Sequence, residues 1–388
     1  MSGRAVKRAF KYRCYPSDGQ ARELLRTFGC VRLVYTRALE ARTAAWRGEQ
    51  RRMSYSESSS MLTGWKRDPD LAFLAEVSSV PLQQSLRHLQ GAFVNFWERR
   101  AGYPRFRSRR RGKASAEYTR SAFRWRDGRL TLAKMTEPLD VRWSRPLPEG
   151  CEPSSVTVSR DSAGRWHVSM LVDTTVPDLA VSDRIVGVDA GIAHLVVLST
   201  GEKIANPRHE RRDRDRLALT QRGLARKEAG SVNRAKARLA VARVHARIAD
   251  RRRDALHKLT TRLVRENQAV VIEDLAVRNM VKNHGLARAI SDASWSRMRA
   301  MLAYKCDWYG RDLVVIDRFH PSSKVCSTCG ALREVLPLTV REWTCRCGAV
   351  HDRDVNAAKN VLAAGLAVIA CGDGARPRRA QALTGSRR

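Results

Sequence analysis

The sequence predicts a multidomain α+β protein. A barrel-like β module is split by a long helical block, and an α/β domain carrying an inserted cysteine-rich ribbon follows. Three observations lead there. Alternating apolar residues occupy residues 1–15 and 123–175, with helical periodicity between them. Short, almost wholly apolar runs recur after residue 185. Four cysteines crowd into the 22 residues from Cys326 to Cys347, just before the last helical pattern.

In chain order, RAFKYRCYP is a strand that stops at Pro16. Ser17-Asp18 is a helix start, and Leu24, Leu25, Phe28, Val31, Leu33 and Val34 hold an apolar helical face. A second helix opens at Val80-Pro81, with Leu82, Leu86, Leu89, Phe93 and Phe96 at spacings of three or four. GYPRFRSRRRGK, residues 102–113, is a loop, because Pro104 and the glycines break a helix. Asp127-Gly128 and Ala163-Gly164 then lie between apolar runs as hairpin turns. The first strand is expected to join this β region, which makes the helical block an insertion. After Pro177, IVGVDAG is a buried strand and a turn, and residues 194–199 are a second strand turning at Gly201. Residues 208–253 carry 16 Arg or Lys against five acids and form long basic helices. Leu256, Leu259 and Leu263 give them an apolar face. Residues 268–275 and 313–317 are strands, and residues 354–368 are the final helix.

Composition narrows the partner. The 388 residues include 73 Lys plus Arg and 39 Asp plus Glu, a formal charge of +34. Such an excess repels itself unless a polyanion is bound, and nucleic acid is the expected one. A GC-rich genome explains why only 13 of the basic residues are Lys, but not the shortage of acids. The longest apolar stretch, residues 361–370, is half of the ~20 residues a spanning helix needs, so no membrane partner is expected. MSGRAVKRAFKYRCYP has no apolar core segment, so it is not a signal peptide and a cytoplasmic protein is expected. The odd count of nine cysteines argues against a disulfide framework.

Three acids sit where chemistry can use them. Asp189 ends the apolar run IVGVD, Glu273 ends AVVIE, and Asp354 opens the last helix in HDRDVNAAKN. A carboxylate at the end of an apolar strand incurs a desolvation cost that something must offset. Several converging carboxylates repel unless cations neutralise them, and two divalent ions about 4 Å apart do so while activating water on a phosphodiester. The strand–hairpin–strand start around Asp189 fits an RNase H-like sheet. Asp274 competes with Glu273 for its role, and Asp352 competes as the cap of the last helix.

Cys326-Ser-Thr-Cys329 and Cys345-Arg-Cys347, with Gly330 and Gly348 behind them, can present four thiolates to one ion. Four thiolates make a closed, structural zinc site. His351 is an alternative fourth ligand. In the loop, Tyr103 and Phe106 are candidates to stack on bases, and Arg105, Arg107, Arg109, Arg110 and Arg111 to grip phosphates.

The motifs GVDAGIAHLVVLSTGE, VVIEDL, PSSKVCSTCG, WTCRCG and HDRDVNAAKNV, in that order, resemble the TnpB family. These are transposon-encoded, RNA-guided nucleases related to type V CRISPR effectors. The likeness covers essentially the whole chain, and DRDVNAAKN is its most specific motif. The C-x-C pair and the short C-terminal tail depart from the family pattern. The resemblance implies a β-barrel wedge module (1–16 and 114–176) with a helical recognition insertion (17–113). It implies a RuvC-like nuclease domain (177–318 and 349–372), an inserted zinc ribbon (319–348) and a basic tail (373–388). Asp189, Glu273 and Asp354 match the three RuvC acid positions, with Mg²⁺ or Mn²⁺ as the catalytic ions and Zn²⁺ in the ribbon. A guide RNA from the transposon end, target DNA, and a prokaryotic, nucleoid-associated setting are likewise implied. Two other readings stay open at this point: a transposase acting directly on transposon ends, and a guided DNA binder without cleavage.

Overall fold

The computed structural model describes residues 3–108, 114–337 and 339–371. Arg109, Arg110, Arg111 and the basic tail therefore lie outside the described residues. Ala5–Thr175 forms one compact unit; the described residues from Val176 onward, with the chain start up to Arg4, form the other.

The first unit opens with β1 (Gly3–Cys14) and the 32-residue helix α1 (Asp18–Glu49). Ser17 and Gln20 form a reciprocal capping box at the start of α1, satisfying donors that the first turn leaves free. Helices α2 (Tyr55–Arg67), α3 (Phe73–Glu76) and α4 (Ser79–Trp97) follow. The chain then returns to strands: β2 (Ala114–Thr119), β3 (Phe123–Arg126), β4 (Arg129–Leu132), β5 (Val141–Arg142), β6 (Pro153–Arg160) and β7 (Trp166–Pro177). Asp127 and Gly128 both take positive φ, 51° and 70°, as a tight hairpin between β3 and β4 requires. One apolar core joins the sheet to the helices. Tyr12, Tyr118, Val158 and Met170 from the strands share it with Leu24, Leu39, Leu86 and Leu89 from α1 and α4.

The expected barrel is not closed. The strands form an open five-stranded sheet in the order β2-β6-β7-β1-β5, with β3-β4 as a separate ribbon. Two pairs, Arg13–Arg142 and Cys14–Val141, hold β5 to β1. Pro138, Pro146 and Pro148 flank it, and proline cannot donate to a ladder, so the edge ends there.

The second unit is a five-stranded mixed sheet, ordered β10-β9-β8-β11-β12. Strands β8 (Ile185–Ala190), β9 (His194–Leu198) and β10 (Lys203–Ala205) are antiparallel neighbours. Two basic helices follow, α5 (His209–Ala225) and α6 (Val232–Glu266). Asp213 of α5 sits between Arg247 (3.1 Å) and Arg251 (3.0 Å) of α6, so part of the positive charge is paired within the hairpin. Strand β11 (Ala269–Glu273) runs parallel to β8, and after α7 (Val277–Met280), α8 (Ala287–Ala293) and α9 (Trp295–Tyr309), β12 (Asp312–Ile316) runs parallel to β11. A short hairpin, β13 (Glu342–Thr344) and β14 (Val350–Asp352), leads into α10 (Arg353–Ala370). Among the described residues, no helix is long and apolar enough to cross a membrane.

Two glycines let α10 approach the sheet closely. A Cβ built on Gly187 of β8 would lie 2.3 Å from the Ala358 carbonyl oxygen and 2.6 Å from the Leu362 nitrogen. One built on Gly365 of α10 would lie 2.4 Å from a methyl of Val271 on β11. Gly187→Ala must push helix backbone away, and overpacking of this kind costs typically ~1–3 kcal/mol. The variant should melt several degrees lower, as read by circular dichroism. Gly223→Ala on α5, where nothing lies within 4 Å, should leave the melt unchanged or raise it.

Candidate active site and metal centre

The register of β8 and β11 places the first two acids side by side. Val188 pairs with Ile272, and Asp189 and Glu273 are the next residue on each strand. Asp354 stands in the first turn of α10, the helix that Gly187 admits against β8. As whole residues, all three are half-buried. Their proximity shows electrostatically. Burial, then the negative fields of Glu273 and Asp354, push Asp189 from its ordinary value of 3.8 up to about 7, while Arg353 opposes the rise. A cavity of about 170 Å³ lined by Val188, Ile272, Trp295 and Met298 opens beside Glu273.

The two competing acids are occupied elsewhere. Asp274 pairs with both Arg299 and Arg318, and these guanidiniums hold its carboxyl below the usual range. Asp352 is the N-cap of α10: its Oδ1 accepts from the backbone N–H of Asp354 (3.1 Å) and Val355 (2.9 Å). Its other oxygen accepts from Lys203 Nζ at 2.5 Å. That division leaves the Asp354 carboxylate free of the capping role, with Arg341 at 3.5 Å.

The four thiols lie together as the spacing predicts. The Sγ atoms of Cys326, Cys329, Cys345 and Cys347 all lie within 4.8 Å of one another. Cys326–Cys347 and Cys329–Cys345 are 3.8 and 3.7 Å apart. Zinc–sulfur bonds of about 2.3 Å put tetrahedral sulfurs about 3.8 Å apart, so the cage has the size a zinc ion needs. Gly330 and Gly348 adopt φ of 74° and 85° and donate to the Cys326 and Cys345 carbonyls, both at 2.9 Å. The C-x-x-C pair closes an i+4→i turn, and the shorter C-x-C pair a tighter i+3→i turn. His351 lies behind Cys326, with Nε2 at 3.0 Å from its Sγ and its ring against Trp343. Burial works against the Cys326 thiolate, but backbone N–H groups and His351 overcome it and bring the thiol down to about 5. By contrast, Cys14 and Cys306 are buried without such donors, and desolvation pushes both up to about 12.

Three polar residues that sequence reasoning missed bind the cysteine ribbon to the acid cluster. Asn356 and Asn360 project from α10 one turn apart. Asn356 accepts from the Ser327 N–H (2.9 Å) and donates to the Val325 carbonyl (2.7 Å). Asn360 donates to the carbonyls of Ser322 (2.7 Å) and Val325 (2.6 Å). The Ser322 hydroxyl donates to Glu273 at 2.6 Å. The segment entering the first cysteine pair is therefore pinned to α10 and to Glu273 together. The available signal was the i, i+4 pair of asparagines in DVNAAKN, which places two amides on one helical face.

The loop candidates divide. Arg107 is tucked over the Tyr35 ring at 3.8 Å, and burial holds its guanidinium below its ordinary value. Tyr103 packs edge-on against Phe93 and Phe96, with its hydroxyl 2.9 Å from Thr43 Oγ1. Arg105 and Phe106 are exposed.

The Asp189 shift sets a pH dependence. Its folded value of about 7 lies above the ordinary 3.8, so its contribution to stability is complete below about pH 4 and is lost as pH rises through 7. Asp189→Asn keeps the neutral shape. Without divalent ions, the variant should melt several degrees above wild type at about pH 8 and coincide with it at about pH 4. Added Mg²⁺ should narrow the gap at the higher pH.

Comparison with known proteins places these features. Residues 167–284 match the OrfB_IS605 family, described as "Probable transposase". Residues 295–361 match the "Cas12f1-like, TNB domain", and residues 1–51 match a family described as "Helix-turn-helix domain". In this structure that last segment is a strand and a single long helix. A Streptomyces pristinaespiralis protein named "Putative RNA-guided DNA endonuclease" is 70% identical over 98% of this chain and 94% of its own length. The Escherichia coli K12 protein "Putative RNA-guided DNA endonuclease InsQ" is 34% identical over 94% of each. Among solved structures, a Cas12f1 chain in complex with sgRNA and target DNA matches with a TM-score of 0.60. The match covers 92% of this chain and 98% of that one at 12% identity, a likeness of fold. The matching motifs, the full-length relatives and the mixed α/β architecture agree: this chain belongs to the OrfB_IS605/TnpB family.

Proposed function

We propose that the chain is an RNA-guided DNA endonuclease of a transposable element, cleaving phosphodiesters in a RuvC-like site made by Asp189, Glu273 and Asp354. The observation that carries this reading is the convergence of the three carboxylates from β8, β11 and α10. The mixed strand order beneath them supports an RNase H-like sheet. The charge of +34 supports a partner as anionic as a guide RNA from the transposon end with its DNA target. The names of the two full-length relatives support the same activity.

Two divalent ions, Mg²⁺ or Mn²⁺, held by the three carboxylates would activate a water and stabilise the leaving oxygen. The chain's own residues prepare that arrangement. Desolvation and like charge raise the energy of Asp189 as an anion, so the cluster favours cations strongly. Ser322 fixes one oxygen of Glu273. Asp352 takes the capping bonds and leaves Asp354 to face its two partners. The four thiolates would hold a structural Zn²⁺ in a ribbon spanning residues 319–348. Residues 17–113 serve as the helical recognition insertion, and Arg105 and Phe106 are its accessible loop contacts for nucleic acid.

The test is cleavage by protein purified with the RNA of its own locus. Cuts should require a matching guide and Mg²⁺ or Mn²⁺, and EDTA should abolish them. Asp189→Ala, Glu273→Ala and Asp354→Ala should each lose on the order of 10³-fold or more in rate while binding RNA and DNA nearly as before. Asp274→Ala should be milder. RNA-free cutting of transposon-end duplex would instead mean a transposase, and guided binding without cuts a binder that has lost cleavage.

Zinc content is checked separately. Elemental analysis should find about one zinc per chain by the tetrathiolate argument. Cys326→Ser should lower metal content and melting temperature together, because metal binding is folding energy at such sites.

A further inference from the structure

The first unit contains a cavity of about 300 Å³ that the acid cluster does not use. Its walls come from α1, α4 and the loops that follow each: Trp46, Arg52, Phe93, Phe96, Trp97 and Tyr103 line it around Arg42. Four of those aromatic rings, Trp46, Phe96, Trp97 and Tyr103, are 37–43% exposed, so the mouth is open and flat-sided. Such exposure is costly in a monomer surface unless a ligand covers it.

Arg42 supplies the second, independent observation. It is 5% exposed. Its Nε donates to Ser58 (3.1 Å), its Nη2 donates to Gln90 (2.7 Å), and its guanidinium lies over the Phe93 ring at 5.0 Å. Nη1 is buried with no partner. The cation is fixed at the cavity wall by packing and by its bonds to Ser58 and Gln90. Around the same cavity, Arg52 covers Trp97 at 5.4 Å, whereas Trp46 makes no ring contact among the described residues. The fitting ligand is planar, stacks on an aromatic face, and hangs from an anionic chain that a +34 protein attracts.

We propose that this cavity receives one unpaired nucleobase of a bound single strand, stacked on Trp46 beside the buried Arg42 guanidinium. The proposal rests on the nucleic-acid reading above and deepens it, since it makes a defined base pocket part of the first unit. A base held here is taken out of its stack, so the site distinguishes an unpaired position from a duplex one.

The experiment is a double-mutant cycle on the full chain. Short RNA and DNA single strands carry one abasic site, moved position by position, and bind wild-type protein and Trp46→Leu. Trp46 is 43% exposed, and leucine keeps apolar bulk without the π face, so the variant should fold. At the engaged position, wild type should lose about tenfold in affinity for the abasic strand, and the variant should not distinguish the two strands. Strands with a single 4-thiouridine or 4-thiothymidine should crosslink to peptides containing Trp46 or Tyr103. Whether RNA or DNA shows the coupling identifies the strand. Equal abasic penalties in both proteins, or crosslinks confined elsewhere, overturn the pocket while leaving guided cleavage untouched. Loss of all nucleic-acid binding by wild type would overturn the functional reading itself.

Discussion

The close approach of α10 to the sheet is the constraint on which the second unit depends. A helix packed at an ordinary distance would carry Asp354 away from Asp189. Gly187 removes the side chain that would collide with the Ala358 carbonyl, and Gly365 does the same opposite Val271. Only then can a carboxylate on a helix meet two carboxylates on neighbouring parallel strands. The short side chains of Ala357 and Ala358, both buried, extend the same close face. The glycine of GVD is thus as much a part of the site as the aspartate two residues later.

Bringing three acids together creates a repulsion that the fold must withstand. Proton uptake by Asp189 and the nearby Arg353 relieve part of it. The rest is resisted by hydrogen bonds that tie the cluster's supports to one another. Asn356 and Asn360 anchor the segment ahead of Cys326, and Ser322 in that segment holds Glu273. A closed thiolate site takes no part in the chemistry, but Cys326 sits between Val325 and Ser327, both bonded to Asn356. The thiol cage and the acids are therefore linked through one helix face.

The first unit follows a different logic. Its sheet does not close, and its helices fill the core that a barrel would have enclosed by itself. Tyr12 and Tyr118 from strands pack with Leu24 and Leu86 from helices in one continuous cluster. The aromatic and arginine residues left over are not scattered. Arg107 folds back on Tyr35, and Arg42 is buried between Ser58, Gln90 and Phe93. Guanidiniums placed this way are held by packing as well as by charge, which shapes a pocket in place of a merely basic surface.

The sequence by itself determined the elements that local physics governs. Apolar alternation marked the strands, i, i+3 and i+4 spacing marked the helices, and Asp127-Gly128 marked a hairpin whose φ values are positive as expected. It also singled out Asp189, Glu273 and Asp354, because a carboxylate ending an apolar run is conspicuous, and the four cysteines, because their spacing is local. It favoured Glu273 over Asp274 and Asp354 over Asp352, but it showed no bonding partner for either competitor. In the structure Asp274 is paired with Arg299 and Arg318, and Asp352 with Lys203 and the helix N–H groups, partners mostly remote in sequence. Nor did it show that the barrel stays open, that Arg107 turns inward, or that Ser322, Asn356 and Asn360 join the ribbon to the acids. Each of these depends on which surfaces meet after the chain has folded, and periodicity carries no record of long-range partners. Tertiary packing decided them because a buried hydrogen bond or ion pair forms only where both groups are delivered together.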